Sequence, residues 1–98
     1  MTITKTVNEN EATLKVEGWL DTQASPDFHE ELENLEPEID SLILDFSALE
    51  YISSAGVREV VAAYKKMDGA LVVKNVSSGI MSIFKATGID KKVRFENA

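Results

Sequence analysis

Residues 41–67, SLILDFSALEYISSAGVREVVAAYKKM, constrain the fold more than any other stretch. Leu42-Ile43-Leu44 is a short unbroken apolar run, the mark of a central strand covered on both faces. It ends at Asp45, and a loop of small and polar residues follows. Val57, Val60, Val61 and Tyr64 then recur at i, i+3, i+4 and i+7. That spacing sets them on one helix face, with Arg58, Glu59, Lys65 and Lys66 largely on the other. Asp68-Gly69 stops the helix, and Ala70-Leu71-Val72-Val73 opens a second apolar run. Strand, helix, strand of this length is a βαβ unit with a right-handed crossover.

The other segments supply the support such a unit needs. Residues 2–7 alternate, with Ile3 and Val7 on the face of Lys5 and the threonines on the opposite one. Asn8-Glu9-Asn10 is turn chemistry, and Ala12, Leu14 and Val16 alternate again, which predicts a β-hairpin with one buried face. It ends at Gly18-Trp19-Leu20-Asp21, where glycine permits a bend. Ser25-Pro26-Asp27 reads as a helix start, with a capping hydroxyl, proline in the first turn and an acid beside it. Phe28, Leu32 and Leu35 form that helix's apolar stripe, and Pro37 ends it. Ser77 or Ser78 caps a third helix with Ile80, Ile83 and Phe84 inward. Gly88-Ile89 is its C-terminal stop, and Val93 and Phe95 offer a last strand. The expected architecture is α/β: a mixed sheet with helices packed against it, in the order β-β-α-β-α-β-α-β.

At this length, residues 1–98 are expected to form a single domain around one core. The absence of cysteine excludes a disulfide framework, a thiol nucleophile and a cysteine-held metal. No stretch is apolar for long enough to span a bilayer and the first ten residues carry no apolar leader, so the expected location is cytoplasmic, without membrane insertion. A subunit of a membrane complex would look the same. The net charge of −7 is unevenly placed: between Val16 and Val57 there are eleven Asp and Glu and no Lys or Arg. Nucleic acid is thereby disfavoured as a partner, since its affinity rests on basic side chains. Association with protein is the better expectation.

Catalytic patterns are missing. His29, the single histidine, lies beside an apolar stripe with no cysteine or serine elbow to accompany it, and reads as a surface or half-packed side chain. The glycines fit neither a phosphate-binding loop nor a dinucleotide fingerprint. Asp21 and Asp45 both sit at strand ends, but two carboxylates do not make a cation site. No enzyme, cofactor or metal is expected. What remains is Ser53-Ser54, just before Ala55-Gly56-Val57 at the start of the central helix. Serine there is ordinarily a cap for a free backbone N–H. It is also a place where a phosphate is well tolerated, because the free N–H groups and the helix dipole face it.

The stretch DFSALEYISSAGVREVVAAYKKM closely resembles the signature of STAS domains, specifically of bacterial anti-sigma factor antagonists. Gly18-Trp19-Leu20-Asp21 resembles that family's early turn, and Lys85-Ala86-Thr87-Gly88-Ile89-Asp90 resembles its last helix and stop. The resemblance implies partner switching. An unphosphorylated antagonist binds an anti-sigma factor that is also a serine kinase and frees its sigma factor. The kinase phosphorylates a serine before the second helix, which breaks the complex, and a serine phosphatase resets it. The matching serine is Ser54, with Ser53 the lesser candidate. Ser53 stands where many members have aspartate, and Ala55 where many have a second hydroxyl. The implied partner surface comprises Trp19, Asp21, Ser53, Ser54, Ala55, Gly56, Arg58 and Glu59. Arg58 either offsets a phosphate on Ser54 or reads an acid on the kinase. Trp19 departs from the usual polar residue, as a contact anchor if exposed and as a hydrophobic lid if packed. An alternative is a STAS docking subunit of a membrane transport or other complex with no phosphate cycle, and a nucleotide binder is more distant.

Overall fold

The computed structural model describes residues 1–97. Strands β1 (Thr2–Asn8) and β2 (Glu11–Leu20) form an antiparallel hairpin whose turn places Glu9 at φ 58°. Ile3, Lys5 and Val7 lie opposite Val16, Leu14 and Ala12 on one face, and the threonines take the other, as the alternation predicts. Then come α1 (Ser25–Glu33), β3 (Ser41–Asp45), β4 (Leu49–Ile52), α2 (Ser54–Lys66), β5 (Leu71–Lys74) and α3 (Ser78–Thr87). A short 3-10 turn (Ile89–Lys91) leads to β6 (Arg94–Glu96). The sheet order is β1-β2-β3-β5-β6, and β4 pairs with the far end of β2. The β1–β2 pairing is antiparallel and the others are parallel, so the sheet is mixed.

The sheet is covered on one face only, which corrects the reading of Leu42-Ile43-Leu44 as doubly covered. Leu42 and Leu44 are buried, whereas Ile43 is half-buried, on the opposite face beside Thr13 and Val72. Apolar residues on the open face shield one another laterally, and this produces a continuous run without a second helical layer. On the covered face, Phe28 and Leu32 of α1, Val57, Val60 and Ala63 of α2, and Ile80 and Phe84 of α3 join the strand residues in one core. Each fully buried side chain of this kind contributes about 1.5–3 kcal/mol.

Three local readings also change. Leu49–Ile52, expected in a loop, is a strand whose inward residues Leu49 and Ile52 are separated by the two exposed residues Glu50 and Tyr51. A register shift opposite Gly18 and Trp19 accommodates the extra residue and breaks the period-2 signal. Ser25 is not the cap of α1: Ala24 occupies that position, and the buried Ser25 hydroxyl donates to the Asp21 carbonyl at 2.7 Å. Pro26, which has no N–H, leaves one fewer donor to cap. Finally, α1 ends at Glu33, well before Pro37, and Leu35 reaches the core from beyond the helix. The ends of α2 and α3 follow expectation, with Asp68 and Gly69 at positive φ after the one and Gly88 at φ 78° closing the other.

Candidate functional site

The site is the junction of β4 with α2, held against the end of β2. Ser53 is the N-cap of α2, in extended backbone at φ −94° and ψ 173°. Its side-chain oxygen accepts the Gly56 N–H at 3.3 Å, and its carbonyl accepts the Val57 N–H at 2.9 Å. Its own N–H donates to the Leu20 carbonyl at 3.0 Å, which fastens the start of the helix to β2. Ser54 is the first helical residue, and its side chain is exposed. The two serines therefore divide the duties that the sequence leaves undivided. Ser53 caps, and the Ser54 hydroxyl is left to solvent.

The surroundings of Ser54 suit an added anion. The first N–H groups of a helix have no intrahelical acceptor and carry the positive end of its dipole. The first turn of α2 contains no acidic residue. Gly56 lets this turn lie flat on β2, since a β-carbon there would stand 2.4 Å from the Leu20 carbonyl oxygen and 2.7 Å from Ile52 Cγ1. The family motif singles out Gly56 as a contact residue; its packing role was not visible without knowing that Leu20 lies beneath it.

The other named residues fall into two groups. Arg58 is exposed on α2, four residues from Ser54, and enters no ion pair among the described residues. Glu59 turns towards α1, where its Oε1 lies 2.9 Å from His29 Nδ1; His29 Nε2 is 3.3 Å from Glu33 Oε1. Asp21 does local work, its Oδ1 accepting the Ala24 N–H at 2.9 Å. Asp45 does likewise: its Oδ1 accepts the Ser47 N–H at 3.0 Å and the Asn75 side-chain amide at 3.4 Å. Burial would raise the Asp45 pKa, but these hydrogen bonds, with Lys15 nearby, outweigh it and lower the carboxyl below its usual range. Among the described residues no three His, Asp or Glu side chains gather into a metal-binding group.

Trp19 is exposed, at 57 %, which excludes the packed-lid alternative. Its ring lies 5.2 Å from that of Tyr51, its register partner on β4. The sequence gives no sign of Tyr51 as a site residue, because the register shift on β4 hides the strand that pairs it with Trp19.

The STAS domain model matches residues 2–98. The chain belongs to the STAS domain family. Comparison with curated proteins finds no matching sequence. Among solved structures, the chain is similar to an anti-sigma factor antagonist from Mycobacterium paratuberculosis, with a TM-score of 0.87 at 20% identity over 97% of this chain and 84% of that one. It is also similar to the anti-sigma factor antagonist SpoIIAA in its unphosphorylated form, with a TM-score of 0.78 at 16% identity, covering 99% and 89%. The phosphorylated form of SpoIIAA, a Bacillus cell fate determinant, gives 0.77 at 16%, covering 99% and 91%. A sulfate transporter family protein from Wolinella succinogenes gives 0.80 at 15%, covering 94% and 80%. At these identities the likeness establishes the fold: a six-stranded mixed sheet with three helices, in the STAS order of elements. No helix of the described residues is long and apolar enough to cross a membrane.

Proposed function

We propose that residues 1–98 act as a single STAS domain, a cytoplasmic, non-catalytic anti-sigma factor antagonist whose partner choice is set by phosphorylation of Ser54. The observation that carries this reading is the division of labour at the start of α2. Ser53 holds the capping hydrogen bond, while the Ser54 hydroxyl is exposed in a turn free of acidic side chains. Phosphorylation there adds about −1.5 to −2 charges that the helix N-terminus can bear, so the fold survives and the consequence falls on the partner. That partner is an anti-sigma serine kinase, and a serine phosphatase reverses the change. The contact surface takes in Trp19, Asp21, Ser53, Ser54, Ala55, Arg58 and Glu59, with the buried Gly56 beneath them seating the turn on β2. A phosphate crowded into this surface needs to remove only a few kcal/mol, since each 1.4 kcal/mol is about tenfold in affinity. SpoIIAA, similar in fold, is described as an anti-sigma factor antagonist and has been solved in a phosphorylated form, which supports the reading.

The test is a paired pull-down from native cells with wild-type and Ser54→Asp baits, with captured proteins identified by mass spectrometry and phosphosites mapped on the wild-type chain. A serine kinase held by wild type and lost by Ser54→Asp, with phosphate on Ser54, is the expected result. The likeness to a sulfate transporter family protein favours a second reading, a docking subunit without a phosphate cycle. Equal recovery of a transport-complex subunit by both baits would replace the first reading with the second.

A further inference from the structure

The strand register places Trp19 and Tyr51 on the face of the sheet that no helix covers. Leu20 and Ile52, the next residues on β2 and β4, point into the core, so the preceding pair points out. Trp19 is 57 % and Tyr51 44 % exposed, and the rings meet at 5.2 Å with their planes 47° apart. They are two of the four exposed large apolar residues among the described residues, and they stand together. Both are carried on paired strands, so little freedom is left to lose when something binds. Ser53 begins immediately beyond this pair, tied by its N–H to the Leu20 carbonyl.

Two carboxylates flank the rings. Glu17 precedes Trp19 by two residues on the same face of β2, and Glu50 is the exposed extra residue at the register shift. The whole segment from Val16 to Val57 has eleven carboxylates and no Lys or Arg. The cations nearby are Lys15 on β2 and the Met1 amino group, whose nitrogen lies 3.8 Å from where a β-carbon on Gly18 would stand; the 3.8 Å pairing of Lys15 with Glu17 joins two side chains that are each more than two-fifths exposed. Such a pair is weak and easily exchanged.

We infer that the Trp19–Tyr51 pair, with Glu17 and Glu50 beside it, is an arginine-binding patch that anchors a protein partner at the site end of the open sheet face. An aromatic face attracts a cation through its quadrupole. A guanidinium is planar and weakly hydrated, stacks on such rings and pairs with carboxylates in a fixed fork, whereas an ammonium keeps its water. Acidic peptides and anionic surfaces are repelled by the same carboxylates. The inference rests on the partner-switch reading in one respect only: the protein that meets Ser54 is the one that brings the arginine.

Trp19 is the chain's single tryptophan, so its emission reports on this patch. The experiment titrates the intact chain with a capped glycine–arginine peptide and with its lysine and glutamate counterparts. A saturable change is expected with the arginine peptide, at a concentration about twofold to fivefold below that for lysine, and none with glutamate. Tyr51→Ala should weaken the arginine response by a similar factor, and Tyr51→Phe, which keeps the ring and the fold, should retain it. Equal responses to arginine and lysine, or an arginine response undiminished in Tyr51→Ala, overturn the inference. So does emission that depends on protein concentration without peptide, which would make a second copy the occupant. The titration contains no kinase and no phosphate. A positive result therefore stands even if Ser54 is never phosphorylated, and a negative one leaves the comparison of baits untouched.

Discussion

The first turn of α2 lies directly on the backbone of β2: a β-carbon at Gly56 would stand 2.4 Å from the carbonyl oxygen of Leu20. That carbonyl cannot move cheaply, because it also accepts the Ser53 N–H. Gly56→Ala must therefore push the helix away from the sheet. Overpacking of this kind costs about 1–3 kcal/mol, and contact with backbone places it at the upper end. Gly79 is the control, since a β-carbon there meets nothing within 4 Å. Gly79→Ala should be neutral or stabilising by up to about 1 kcal/mol, through helix propensity and lost unfolded-state freedom. Urea denaturation of both variants checks the contrast.

The division of labour between the serines predicts opposite stability profiles. Ser53→Ala removes the acceptor for the Gly56 N–H and should cost about 1 kcal/mol. Ser54→Ala removes an exposed hydroxyl and should stay within about 0.5 kcal/mol. If phosphate loss and stability loss fell on the same serine, capping and modification would not be separable at this site. Denaturant midpoints of the two variants, measured together, decide it.

Much of this arrangement is legible in the sequence because it is written in local periodicity. The hairpin, the helix stops at Asp68-Gly69 and Gly88, and the burial of Val57 and Val60 follow from spacing alone. What escaped was set by contacts between distant segments. The strand Leu49–Ile52 exists because β2 continues past Gly18 to pair with it, and its shifted register hides the alternation. Ser25 looks like a cap until its hydroxyl turns to the Asp21 carbonyl. The same limit explains the site. Ser53 and Ser54 are adjacent and chemically identical, and only the backbone geometry gives the cap to one and the solvent to the other.

Acid should destabilise the fold in part through Asp45. Burial alone would raise its pKa, but hydrogen bonds from Ser47 and Asn75 and the charge of Lys15 bring it below the 3.8 of a free aspartate. A carboxyl whose pKa is lower folded than unfolded stabilises the fold above the unfolded value. That contribution is lost as the pH falls through the folded value. Asp45→Asn should therefore show a shallower loss of stability than wild type below about pH 4. Parallel slopes for the two proteins in urea denaturation at a series of acid pH values would remove Asp45 from the account.

His29 and Glu59 link α1 to α2 across the surface, with 2.9 Å between Nδ1 and Oε1. The contact is unequal, since the His29 side chain is half exposed while that of Glu59 is mostly covered. Glu33, 3.3 Å from Nε2, competes for the same ring. Exposed pairs of this type are worth about 0.2–1 kcal/mol, so a double-mutant cycle on His29→Gln and Glu59→Gln should return a coupling in that range. Added salt should shrink whatever share of it is charge–charge attraction, because the half-exposed ring is open to water. The value bears on the partner surface as well as on stability. A carboxylate held this weakly can leave His29 to meet a partner at small cost, and Glu59 then belongs with Arg58 on the contact face of α2. A coupling well above 1 kcal/mol, insensitive to salt, would fix Glu59 to α1 and remove it from that face.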